Sequence, residues 1–160
     1  TLMHTEDVEA ALAELRRVLR PGGRLVAVEG DNRVQIFRFD ESLPSLDLAF
    51  SALFHRLKAI GRPAHPELGP RLPALMAAAG FREVEARPHL VRSAHEECAE
   101  AFLDRASWVA GCVAASAGLD ESEPELVRCR EQIAALRERL GGRTGRSLHA
   151  VPMWRCVGLA

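Results

Sequence analysis

Tyrosine is absent from the 160 residues, and Lys58 is the only lysine among 21 basic side chains. Both read as compositional bias with no mechanism attached. Net charge is missing too: 21 basic against 22 acidic side chains leave −1 at pH 7. No global positive field exists to hold a polyphosphate backbone or an anionic bilayer, so neither nucleic acid nor a membrane is expected as a partner. The cysteines Cys98, Cys112, Cys129 and Cys156 form no C-x-x-C pair, and no histidine stands at finger spacing, which excludes an ordinary zinc site. Four reduced, mostly buried thiols are expected instead. The longest uncharged run, 106–119, falls short of the roughly 20 apolar residues of a spanning helix. Glu6, Asp7, Glu9 and Glu14 do not suit the basic start and apolar run of a secretory signal, and a cytoplasmic location is the expectation.

What is present describes an ordinary globular chain, 48% apolar and 27% charged, long enough for about one domain of roughly 150 residues. Val8, Leu12, Leu15, Val18 and Leu19 recur at helical spacing, with Thr5 or Asp7 as cap and Pro21-Gly22-Gly23 as stop. The unbroken apolar run Leu25–Val28 predicts a strand buried on both faces of a parallel sheet. A second helix is predicted from Ser42 to Ile60, with Leu46, Phe50, Leu53, Phe54 and Leu57 as its stripe. Pro63, Pro66 and Pro70 mark a loop, and a shorter helix follows over Leu68–Ala79, stopped by Gly80. Arg82–Val91 reads as a strand that Pro88 confines to an edge. Helices are predicted over His95–Ala117 and Ser122–Leu140, the latter with a Ser122/Glu125 capping box and a seam of Leu126, Cys129, Ile133, Leu136 and Leu140. A final strand spans Leu148–Val157.

Three stretches run in order without a gap: Leu2-Met3-His4-Thr5-Glu6-Asp7, then Ala11-Leu12-Ala13-Glu14, then Arg17-Val18-Leu19-Arg20-Pro21-Gly22-Gly23 leading into Leu25-Val26. This series resembles the class I S-adenosylmethionine (SAM)-dependent methyltransferases, from the end of their fourth strand to their fifth. Gly69-Pro70-Arg71-Leu72 leading to Ala79-Gly80-Phe81 is similar to that family's helix before the sixth strand. The resemblance implies an α/β fold: a partial Rossmann-like sheet of the fifth, sixth and seventh strands, mixed parallel and antiparallel, with a helical insertion before the last strand. It divides the chain into core over 1–92, helical cap over 93–146 and final strand over 147–160. In that family a Gly-rich D-x-G-x-G-x-G turn and acidic residues of an N-terminal half hold SAM, and no G-x-G-x-x-G occurs here. With Thr1 in place of an initiator Met, the expectation is the C-terminal half of such an enzyme, not competent alone.

The resemblance assigns Leu2, Met3 and His4 to the loop that meets the cofactor or the reacting group. Histidine as a residue type suits a general base, and packing at a helix start stands as an equal reading of His4. Glu29 and Asp31 end a strand, where open α/β sheets border their ligand crevice. Asp31 is the catalytic or substrate-side candidate against the plainer role of an acid solvating a loop. Arg71 falls near substrate in the family pattern, or is an exposed helix-start arginine. Trp108, with Phe102, lines an apolar substrate pocket or belongs to the core. His55 reads as a boundary residue, and His65, His89, His95 and His149 as surface residues. Two functions follow: methyl transfer from SAM to a small organic acceptor, or a non-catalytic module that pairs through an uncovered sheet edge, as a homodimer or with a missing N-terminal half.

Overall fold

A computed structural model describes residues 2–60 and 65–160; the expected loop proline Pro63 lies outside them. A short 3-10 turn, Leu2–His4, leads into helix α1, Val8–Val18, whose first free N–H groups are met by Asp7: its carboxylate accepts from the Ala10 N–H at 2.9 Å. Strand β1, Arg24–Gly30, follows the Pro-Gly-Gly stop. After a 3-10 turn at Asn32–Val34 come β2, Ile36–Phe39, and the two-residue β3, Glu41–Ser42. Helix α2, Pro44–Ala59, begins on a proline whose missing N–H costs nothing at the first turn. Helix α3, Leu68–Ala78, carries Pro70 in its first turn rather than in a loop, and ends at Gly80, whose φ of +87° favours glycine. Then come β4, Arg82–Cys98, α4, Ala99–Ala117, α5, Pro124–Leu140, and β5, Thr144–Leu159.

The long β5 organises the sheet. Along one side it pairs antiparallel with β4 from Arg82↔Leu159 to Cys98↔Thr144. Along the other it pairs antiparallel with β1, Arg24↔Leu159 to Gly30↔Met153, and with β2, Ile36↔Ala150 to Phe39↔Ser147. Every pairing among the described residues is antiparallel, including the small β2–β3 pair. The expected mixture of parallel and antiparallel strands is thus corrected to an open antiparallel sheet with five helices. β1 is also not buried on both faces: Val26 is 52% and Val28 46% exposed, while Ala27 and Glu29 point inward. The run looked like a central parallel strand because valine, leucine and alanine do not reveal which face meets water.

Two apolar clusters sit on opposite faces. Phe37, Phe39, the α2 stripe, Phe102 and Leu103 of α4, and the α5 seam form the larger one. The smaller holds Val8, Leu12, Ala27, Leu68, Leu72, Met76, Phe81 and Cys156, so α1 and α3 cover the β1 end. His149 belongs to the first face and Cys156 to the other, as strand alternation requires of residues an odd number apart.

Several local expectations are corrected. The strand at β4 runs on to Cys98, so α4 starts at Ala99 rather than His95; Arg92–Glu97 is drawn into pairing with β5. The Ser122/Glu125 capping box does not form: Pro124 starts α5, Glu123 is its N-cap, and Ser122 bonds Asp120 through both its N–H and its hydroxyl. Cys98 and Cys112 are exposed, and only Cys129 and Cys156 are buried. Burial pushes the Cys129 thiol up to about 12, which makes it an inert packing group. His149 is not a surface residue. Its ring stacks on Phe37 with centroids 4.5 Å apart, its Nε2 lies 2.6 Å from Gln35 Oε1, and burial lowers its pKa. No helix among the described residues is long and apolar enough to cross a membrane.

Candidate functional site

Three segments meet at the C-terminal end of β1. The strand delivers Glu29 and Asp31, buried to 5% and 8% exposure. Glu29 Oε1 accepts from the Leu2 N–H at 2.8 Å, which ties the Leu2–His4 turn to the strand end. The Met3 carbonyl accepts from the His65 N–H at 2.8 Å, and the Asn32 N–H donates to the Pro66 carbonyl at 2.7 Å. Residues 65–71 are thereby sewn to both other segments. Gly69 lets α3 come this close: a Cβ there would lie 2.5 Å from Trp154 Cδ1 and 2.7 Å from the Glu29 carbonyl oxygen.

Asp31 is held on both oxygens by the Arg33 guanidinium, Nε to Oδ1 and Nη2 to Oδ2, each at 3.0 Å. It also caps the turn that follows, accepting from the Arg33 N–H. The Asp31 carboxylate raises the Arg33 pKa, through the hydrogen bond first. Glu67 is buried on α3's N-terminal side, with Oε1 3.5 Å from Arg71 Nη1. Asn32 Nδ2 approaches Met3 Sδ at 3.6 Å.

Of the residues singled out from sequence, Leu2, Met3, Glu29 and Asp31 are brought together here, with exposed His4 at the end of the same turn and exposed Arg71 on the adjoining helix. Trp108 is not. It stands on α4 at 68% exposure, on the other helical layer, while its helix partner Phe102 is core. Sequence reasoning missed His65, Asn32, Arg33 and Glu67. His65 read as a scattered surface histidine, yet its Nε2 is buried without a hydrogen-bond partner among the described residues. The missed signal was its place beside Pro66 at the entry to the Gly69 helix.

A cleft of about 240 Å³ adjoins these residues, lined by Glu6, Asp7, Glu9, His65, Leu68 and Arg71 among others. It is smaller than the roughly 300–1,000 Å³ of usual small-molecule sites and strongly acidic on one wall. The described residues hold no group of three or more side chains that could take a metal ion.

The chain is thus a mixed α/β domain whose polar residues Glu29, Asp31 and Glu67 gather at the carboxyl end of β1. A family model described as a methyltransferase domain matches residues 1–27. The match supports a class I SAM-dependent methyltransferase-like domain, with which the mixed α/β architecture is consistent. No curated protein matches the chain.

The residues present do not by themselves fit SAM. The backbone donors of Leu2 and Asn32 are consumed internally, and Gly69 serves helix-to-strand packing rather than opening a cradle for a ribose.

Proposed function

We propose that this chain is the acceptor-side part of an enzyme that methylates a small organic molecule with SAM, and that it does not hold SAM unaided. The observation that carries the reading is the Leu2–Glu29 hydrogen bond: it sets the start of the matched segment against the carboxyl end of β1, beside Asp31 and Arg71. In this reading His4, exposed at the lip of that end, takes a proton from the acceptor. Asp31, fixed by Arg33, orients the acceptor through its remaining lone pairs. Arg71 supplies charge at the rim, and Trp108 takes a substrate-side role only where the acceptor reaches the α4 layer. The protein is expected in the cytoplasm.

Calorimetric titration of the 160-residue chain with SAM tests this. No binding at millimolar ligand is expected of the chain alone, with methyl transfer appearing only when a Gly-rich half is added. Micromolar binding by the chain alone would contradict the need for that half. Transfer unaffected by His4→Ala would remove His4 as base.

A second reading, a non-catalytic interaction module, is favoured by one observation: among the described residues β1 pairs with β5 alone, so its other edge is open.

A further inference from the structure

Buried Phe37 and Phe39 turn Arg38 to the opposite face of β2, because successive side chains of a strand alternate. The register carries that face across the sheet. Arg38 stands opposite Leu148 of β5, Leu148 opposite Ala94 of β4, and Arg92 opposite Ala150. Arg146, two residues before Leu148, shares the face by the same alternation. Three exposed arginines from three adjacent strands thus surround a floor of Leu148 and Ala94. Helices α1 and α3 cover this face farther along β5, at Cys156.

Elsewhere arginines are engaged, Arg17 with Glu14, Arg33 with Asp31, Arg56 with Glu123 and Arg105 with Glu97. The guanidinium groups of Arg38, Arg92 and Arg146 form no hydrogen bond or ion pair with the described residues. Asp40 lines the same hollow, but its Oδ1 accepts from the Arg146 N–H at 2.8 Å and its Oδ2 lies 4.0 Å from Arg143 Nη2. Asp47, whose charge Arg38 also senses, is bonded to the Phe37 N–H. Like charges on neighbouring strands repel, and a bound anion removes that cost. The hollow measures about 320 Å³, within the roughly 300–1,000 Å³ of small-molecule sites.

We infer that this hollow binds a small molecule carrying a phosphate or carboxylate on an apolar body. The anion takes the arginine forks, whose planar donors match both groups, and the body lies on Leu148 and Ala94. Glu96, opposite Arg146, and Asp40 border the patch with negative charge, so a short ligand fits and an extended polyanion is repelled. The site is built from β2, β4 and β5 and does not depend on methyl transfer.

Titrating the isotope-labelled chain with phenyl phosphate and with benzoate, followed by nuclear magnetic resonance, tests it. Saturable shifts are expected at the Ala94 and Leu148 amides and at the side-chain N–H groups of Arg38, Arg92 and Arg146, with binding weakened by added salt. Tighter binding of phenyl phosphate marks the natural ligand as a phosphate, and tighter binding of benzoate marks it as a carboxylate. Arg38→Gln and Arg92→Gln each weaken binding about threefold and together about tenfold, the scale of exposed charge pairs. Arg20→Gln, outside the hollow, leaves binding unchanged. All three positions are exposed, and far-UV circular dichroism checks that the variants fold. Shifts centred elsewhere, equal binding of uncharged benzyl alcohol, or double-variant binding equal to that of the parent chain overturns the inference. So does a short single-stranded oligonucleotide that binds this face more tightly than phenyl phosphate, since the patch would then serve a polymer.

Discussion

The two ends of β5 lie in the same strand yet are used for different ends. Around Ser147 and His149 the sheet meets three helices and a cluster of stacked aromatic rings: Phe37 on Phe50 at 4.5 Å, and Phe102 against both Phe37 and Phe39. Polar groups there are tied to neighbours within the fold, Arg105 to Glu97 and the Phe37 N–H to Asp47 Oδ1 at 2.7 Å. Around Trp154 and Cys156 only α1 and α3 cover the sheet, the apolar cluster is smaller, and buried carboxylates gather at the strand end. One end spends its sequence on packing and the other keeps polar groups at a rim.

The difference can be attacked most strongly at the aromatic end. Phe102→Ala is expected to cost about 3–5 kcal/mol in urea unfolding. Amide exchange at β1 should change less than at α2 and α5; equal loss of protection would mean the two ends are not separable. Gly69→Ala strikes the other end. Its Cβ must displace Trp154 or the β1 backbone, at about 1–3 kcal/mol, and nuclear magnetic resonance shifts should concentrate at Glu29, Asp31 and Leu2.

Acid should also act on the aromatic end first. His149 has its pKa lowered by burial from the ordinary 6.5, so below about that pH the unfolded chain binds the extra proton and the folded chain resists it. Stability contributed by neutral His149 is therefore present above pH 6.5 and lost as pH falls. His149→Phe should flatten that part of the pH–stability curve. Glu97 acts further down: Arg105 holds its carboxyl below the usual range, and that contribution is lost as pH falls through the folded value. The smallest effect is expected from Ser122→Ala, about 0.5 kcal/mol or less by thermal melting. A loss near 1 kcal/mol would restore the capping box the structure lacks.

The helices were legible because their determinants are local. Asp7, Pro21, Gly80 and the α5 seam fix α1, α3 and α5 within a residue or two. The sheet was less so. Nothing near Arg92–Glu97, a polar stretch, reveals that Ala150 to Gly145 lies opposite and pulls it into a strand, and the four residues of β2 are too few for an alternation to register. The candidate site divides the same way. Leu2–His4 and Glu29–Asp31 stand out through the resemblance and the strand-end rule. His65 and Glu67 reach them only because Gly69 allows α3 to sit against Trp154, a contact between residues far apart in sequence.

The position of β5 in chain order has a consequence for biosynthesis. Residues 24–30, 36–39 and 82–98 all find their hydrogen-bonding partners in 144–159. Among the described residues, a ribosome that has delivered α5 has thus released β1 and β4 before the strand they pair with, and β2 with only the two-residue β3 beside it, and helices must shield them until β5 emerges. Loop-closure entropy makes such late, distant pairing slow. Chains stalled before residue 144 should therefore depend on chaperones more than chains that include β5.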